Sequence, residues 1–250
     1  MHPPEFLPPR HVPDLFARLR AKGGGGLDAA MVDLDGTMVD TLGDFTAALN
    51  RMLDELALPQ VTAAVVESMV GKGSEHLIHS VLRHVREGRE ADARLFDCAW
   101  QRYSRHYLQI NGQHSRVYPG VVEGLRELRA QGLRLACLTN KPGDFAKPLL
   151  AAKGLTGYFD FVFGGDAFER KKPDPLPLLK TCEALGTRPE RTLMIGDSSN
   201  DAQAARAARC PVVLVSYGYN HGEPVHGVDA DGVIDSLDSL FHAPARGEAT

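Results

Sequence analysis

Asp33 and Asp35 stand two positions apart at the end of an apolar run, residues 29–34, in the text Asp33-Leu34-Asp35-Gly36-Thr37. Alternate residues of an extended chain share a face. The two carboxylates would therefore lie side by side and repel unless a cation or a shared proton compensates. A second acidic pair follows the run 192–195 in Gly196-Asp197-Ser198-Ser199-Asn200-Asp201. Three or four carboxylates brought together form a hard oxygen site, suited to Mg2+ rather than to a soft or imidazole-preferring metal. Thr139-Asn140-Lys141-Pro142 adds a hydroxyl and backbone donors, and Lys171-Lys172-Pro173 adds an ammonium. Beside a magnesium ion, such donors would receive a phosphoryl group.

These groups are far apart in sequence and need a frame that gathers them. From Leu27 onward short apolar runs alternate with amphipathic stretches, the pattern of an α/β fold with a parallel sheet. Strands are predicted over 29–34, 133–139, 161–163, 192–195, 212–215 and 233–234, and helices over 121–130, 145–152, 176–185 and 201–208. Each chemical motif falls at the carboxyl end of a predicted strand or at the start of a helix. In an open α/β sheet that edge is where ligands bind.

Residues 42–116 break the alternation and read as consecutive helices without a strand; Leu77, Ile78, Val81, Leu82 and Val85 form an apolar stripe on one of them. The expected organisation is a Rossmann-like core of 27–41 and 117–250 with an inserted all-helical cap over 42–116. Residues 1–26 are proline-rich, hold a short helical candidate around 14–20 and end in four glycines, so they read as a flexible extension. No Lys-Ser or Lys-Thr pair follows those glycines, which favours a linker over a phosphate cradle.

Acidic residues outnumber basic ones by 32 to 28 in a chain of 250 residues, so neither nucleic acid nor an anionic membrane is an expected partner. Cys98, Cys137, Cys182 and Cys210 lack metal or redox spacing, and no apolar run is long enough for a signal peptide or membrane span. The expected setting is cytoplasmic, the expected partner is a small phosphorylated metabolite, and the expected state is a monomer or homodimer.

Asp33-x-Asp35-Gly-Thr, Thr139-Asn140, Lys172-Pro173 and Gly196-Asp197-x-x-x-Asp201 together resemble the four ordered motifs of the haloacid dehalogenase superfamily. The resemblance covers about residues 27–240. Leu138-Thr139-Asn140-Lys141-Pro142, Gly164-Gly165-Asp166, the text 171–179 and Tyr217-Gly218-Tyr219-Asn220, with the helical insertion, are similar to the phosphoglycolate phosphatase subgroup. That resemblance implies hydrolysis of 2-phosphoglycolate through an aspartyl phosphate. It makes Asp33 the nucleophile, and Asp35 the acid toward the leaving group and then the base toward water. It places Mg2+ on Asp33, Asp197 and the carbonyl of Asp35, and the phosphoryl oxygens on Thr139, the amide of Asn140 and Lys172. Asp201 would orient a metal-bound water or Lys172.

In the insertion, Gly71-Lys72-Gly73-Ser74 is the candidate substrate-reading loop. Lys72 is either the partner of a substrate carboxylate or a solvated turn residue. His76, His79 and His84 read as a solvated helix face. Tyr217, Tyr219, Asn220 and His221 read as loop packing, and Lys141 and Lys171 as solvated neighbours of the working groups. The alternatives are another capped phosphatase or phosphomutase acting on a phosphosugar or pyrophosphate, or a binding protein of the same fold without turnover.

Overall fold

Ala29, Ala30, Met31 and Val32 are wholly buried, as a strand flanked by helices on both faces requires. In the computed structural model this segment is the centre of a sheet. The structure describes residues 15–22 and 26–241. Helix α1 (Leu15–Lys22) precedes β1 (Ala29–Val32) and a short β2 (Val39–Asp40). Four helices follow: α2 (Leu42–Glu55), α3 (Ala63–Glu67), α4 (Ser74–Val85) and α5 (Ala93–Ile110). The chain returns through β3 (Arg116–Val117), α6 (Val121–Ala130), β4 (Arg134–Leu138), α7 (Gly143–Ala152) and β5 (Phe161–Phe163). It continues with α8 (Leu176–Leu185), β6 (Thr192–Gly196), α9 (Ser199–Ala208), β7 (Val212–Val215) and β8 (Gly232–Ile234).

Six strands make one parallel sheet in the order β5-β4-β1-β6-β7-β8. The strands after β1 build outward first on one side, through β4 and β5, and then on the other, through β6, β7 and β8. The order therefore reverses at β1, and the crevice beyond the carboxyl ends of β1, β4 and β6 is the switch point where such folds bind ligands. Register sets Val32 opposite Cys137 on one side and Ile195 on the other, so the motifs that follow these strands emerge level with one another.

The predicted core elements are present, with ends moved by one or two residues. The chain leaves β1 early: Asp33 N still donates to Ile195 O at 2.9 Å, after which Gly36, at φ +80°, turns it into β2. The expected stretch without strands needs one correction. Arg116 pairs with Asp40 and Val117 with Val39, so a two-residue antiparallel ribbon joins both stems of the insertion. Two-residue strands are too short to show a periodicity.

The insertion has its own apolar cluster, in which Leu49, Met52, Leu53, Ile78, Leu82, Tyr103 and Tyr107 are buried. Phe145 of α7 and Tyr219 complete that cluster from the sheet side. Asp92 caps α5 through Leu95 N, and the buried Asp44 accepts Gly112 N and His114 N, tying the start of α2 to the exit from α5.

A second correction concerns the expected extension. In α1, Phe16 and Leu19 are buried in the core cluster, and the Phe16 ring lies 4.8 Å from that of Phe241. An amphipathic helix with two large apolar residues on one face docks rather than hangs free. Residues 1–14 and 23–25, on which the rest of that expectation falls, lie outside the described residues.

Candidate active site

Lys172 and Asp201 form the buried base of the crevice, with Lys172 Nζ donating to Asp201 Oδ1 at 2.7 Å and to Leu138 O at 2.9 Å. The same ammonium lies 3.1 Å from Asp33 Oδ1. Burial acts to lower the Lys172 pKa, but Asp201 and Asp33 outweigh it and hold it above the ordinary lysine range. Lys172 is therefore a fixed cation at the end of β1.

Asn140 holds the Lys172 main chain in a two-way clamp. Its Oδ1 accepts Lys172 N at 3.0 Å, and its Nδ2 donates to Lys172 O at 2.9 Å. Thr139 is buried at the end of β4 and lines the cavity beside Asn140. Sequence reasoning assigned Asn140 only a backbone donor; its side chain turns out to position the lysine.

Asp33, Asp197 and Asp201 each offer an oxygen within 4.8 Å of the others. Their surroundings differ. Asp201 is saturated: Oδ1 takes Lys172, while Oδ2 accepts the Ser198 hydroxyl and the backbone N–H groups of Ser198 and Asp197. With Ser198 it completes a capping box at the start of α9. Asp197 is held by Tyr219 N at 2.7 Å and the Thr37 hydroxyl at 3.3 Å. Asp33 Oδ1 is buried and accepts no well-formed hydrogen bond, its contact with Lys172 being ionic.

Burial, and then its acidic neighbours, push Asp33 up to about 6 against the pull of Lys172. Burial, followed by Asp201 and Asp33, raises Asp197 well above the carboxylate range. Two ionised carboxylates in this place call for a cation. The donor set is all oxygen, which fits a hard divalent ion. Asp33, with an unbonded oxygen, and Asp197, whose oxygens take one hydrogen bond each, have room for such an ion, whereas Asp201 Oδ1 is tied to Lys172 and its Oδ2 accepts three donors. Gly36 makes the close approach possible, since a β-carbon there would collide with Asp197 Oδ2.

The Asp35 carboxylate has a cationic partner of its own. Its two oxygens accept from Lys141 Nζ at 3.0 and 3.2 Å. The expected side-by-side repulsion is relieved by giving each aspartate its own lysine. This overturns the reading of Lys141 as solvated: it is 2 % exposed, and its ammonium lies 4.2 Å from the Phe45 ring centre and 4.6 Å from that of Tyr107. Burial lowers its pKa, opposed by Asp35. The sequence signal was its place directly after Thr139-Asn140, at the end of a central strand.

Lys171 is half-buried, and its Nζ meets Glu75 Oε2 of α4 at 2.6 Å. It thus joins core to insertion rather than standing free.

Gly71 and Gly73 line the crevice from the side of the insertion, but Lys72 is exposed and does not line it. The turn faces the core with main chain. Gly71 O accepts from Asn140 Nδ2 at 3.2 Å and Asn200 Nδ2 at 3.1 Å, and the neighbouring Val70 O lies 2.8 Å from His221 Nδ1. Positive φ values of +116° at Gly71 and +90° at Gly73 permit that path. Asn200 and His221 were not among the expected site residues, and side chains that grip backbone carry no sequence periodicity.

Tyr219 does more than pack a loop. Its hydroxyl accepts Thr41 N at 2.7 Å and Leu42 N at 3.0 Å and donates to Asp40 Oδ1 at 3.1 Å, capping α2 from outside. Tyr217 donates to Thr37 O, and Asn220 Oδ1 accepts Ser199 N. The space between core and insertion, partly open to solvent, is lined by Asp33, Asp35, Thr139, Asn140 and Lys141 below and by Phe45, Val70, Gly71, Gly73, Ser74 and Leu77 above. Elsewhere in the insertion His79 stacks on Phe96 at 4.0 Å, and the His76 ring lies 3.3 Å from the Ser80 hydroxyl.

The haloacid dehalogenase-like hydrolase family model matches residues 30–215. The chain is 44 % identical over 211 residues to a phosphoglycolate phosphatase of Thiobacillus denitrificans, covering 84 % of this chain and 92 % of that protein. It is 46 % identical over 211 residues to one of Nitrosospira multiformis, with the same shares covered. Among solved structures it is similar to a predicted phosphoglycolate phosphatase from Haemophilus somnus, at 32 % identity and a TM-score of 0.82, covering 86 % of this chain and 96 % of that one. No helix among the described residues is long and apolar enough to cross a membrane.

Proposed function

The chain belongs to the haloacid dehalogenase-like hydrolases, and we propose that it is a magnesium-dependent phosphatase that converts 2-phosphoglycolate to glycolate and phosphate. The observation that carries the reading is the buried Asp33 oxygen, unbonded and 3.1 Å from Lys172, on the floor of the crevice. Relatives at 44 % and 46 % identity that bear this activity supply the substrate.

Asp33 attacks phosphorus, and the bond from phosphorus to the glycolate oxygen breaks as Asp35 delivers a proton to that oxygen. Asp35 then takes a proton from water, which cleaves the aspartyl phosphate and returns Asp33. Splitting one displacement into two lowers each barrier. Asp33, Asp197 and the main-chain carbonyl of Asp35 would hold Mg2+, which when bound offsets charge on the transferring phosphoryl oxygens. Lys172, the Thr139 hydroxyl and the Asn140 amide take the remaining oxygens, and Asp201 keeps Lys172 in place. The helical insertion acts as a cap that excludes water while the acyl phosphate exists.

The test is phosphate release by the purified protein from 2-phosphoglycolate, sugar phosphates, nucleotides and pyrophosphate, with EDTA and Asp33→Asn as controls. A preference for 2-phosphoglycolate in kcat/KM, lost with either control, is the expected result. Preference for another phosphate would move the substrate and keep the chemistry. Turnover that survives Asp33→Asn would remove the covalent mechanism.

A further inference from the structure

Among the described residues that line the cavity, Lys141 is the one cation. The cap side supplies only Phe45, Val70, Gly71, Gly73, Ser74 and Leu77, none of them charged, and Lys72 lies outside. Lys172, the other buried lysine, stands at the Asp33 end of the crevice, where the phosphoryl group is placed, bonded to Asp201 and Leu138 O and 3.1 Å from Asp33 Oδ1. Lys141 has Asp35 as its hydrogen-bonding partner, and an ammonium has three donors. Its position is set from above by the faces of Phe45 and Tyr107, which hold a cation without using up a donor.

We infer that Lys141 reads the carboxylate of the substrate. The inference rests on the phosphoglycolate reading above and deepens it. A substrate whose phosphoryl group sits at Asp33 and Lys172 and whose leaving oxygen faces Asp35 places its remaining end beside the neighbour of Asp35. That neighbour is a desolvated ammonium under an apolar roof. An anion there finds its charge matched, a methyl group leaves the ammonium underused, and a second cation is repelled. Specificity then comes from the floor of the site, on the strand β4 side, and the cap contributes shape and dryness.

The test compares three phosphomonoesters of one chain length: 2-phosphoglycolate, ethyl phosphate and phosphoethanolamine. With wild-type protein, kcat/KM should fall by about 100-fold from 2-phosphoglycolate to ethyl phosphate, and phosphoethanolamine should be poorer still. Lys141→Met should lose about 100-fold on 2-phosphoglycolate and less than about 5-fold on ethyl phosphate, so that the preference collapses. Lys141→Arg keeps charge and changes reach, and should raise KM for 2-phosphoglycolate about 10-fold with KM for ethyl phosphate unmoved. Lys72→Ala should leave the preference intact. Melting curves establish that each variant is folded; the three-substrate series on wild type and the arginine variant serve if the methionine variant is not.

Equal losses on both substrates would show that Lys141 acts only through Asp35 and overturn the inference, as would collapse of the preference in Lys72→Ala instead. Efficient turnover of ethyl phosphate by wild type would also overturn it while leaving the phosphatase reading standing. Failure of wild type on all three would instead strike the phosphatase reading itself.

Discussion

Lys172 Nζ and Asp201 Oδ1 meet at 2.7 Å with neither side chain more than 2 % exposed. A buried pair of this kind is costly to break from one side, because the surviving charge has no solvent. Asp201 also ties the first turn of α9 to the end of β6 through Ser198 and Asp197. Asp201→Ala should therefore lower stability by about 3 kcal/mol or more and reduce turnover as well. Asp201→Asn, which keeps an acceptor, should cost less in stability. Urea denaturation of the three proteins checks the order; an alanine variant as stable as wild type would contradict it.

Asp33→Asn removes the proposed nucleophile and also removes a carboxylate whose pKa burial raises to about 6. Turnover should drop by about 10⁴-fold, while the melting temperature should hold or rise. A variant that loses activity by unfolding would appear at once as a lowered melting temperature.

On the proposed reading, magnesium should stabilise the protein in the absence of substrate, because an ion held by the folded state would relieve the crowding of Asp33 and Asp197. At a large excess over its Kd the wild-type melting temperature should rise by about 5 °C. In Asp197→Asn the rise should vanish. Calorimetry with and without the ion measures this independently of catalysis.

Tyr219 supplies by its hydroxyl the cap that α2 does not get from Thr41. Tyr219→Phe leaves two N–H groups at a partly buried helix end without that acceptor. The expected loss is about 1–3 kcal/mol, read from the shift in urea midpoint at unchanged slope.

His221 lies between sheet and cap with Nδ1 2.8 Å from Val70 O and Nε2 buried without a partner. Burial lowers its pKa below 6.5; Lys72 lowers it further, and the contact with Val70 and the charge of Asp201 work the other way. The folded state therefore binds this proton less readily than the unfolded chain, so the neutral ring's contribution is whole above about pH 6.5 and is lost as pH falls. Stability measured from pH 8 to pH 5 should decline more steeply in wild type than in His221→Gln. Parallel curves would exclude His221 as the source.

The motifs were legible because chemistry that needs a carboxylate, a hydroxyl or an ammonium at a strand end can use few residue types. Asp33, Asp35, Thr139, Asn140, Lys172, Asp197 and Asp201 all fall at one edge of the sheet for that reason. The core elements were legible as well, since strands buried on both faces read as unbroken apolar runs. The β2–β3 ribbon was not, because two residues form no pattern.

The sequence by itself determined an α/β frame, an inserted helical segment and a cluster of oxygen donors fit for a hard cation and a phosphoryl group. The tertiary structure alone decided how the two lysines are shared. Lys172 and Lys141 differ little in local text, each being a lysine beside a proline, yet one meets Asp201 and Asp33 and the other meets Asp35 beneath Phe45 and Tyr107. It also decided that Lys72 faces solvent while Gly71 offers its carbonyl to Asn140 and Asn200. Burial and pairing depend on which distant segments close over a side chain, and that is set by the packing of the cap on the sheet, which no local spacing encodes.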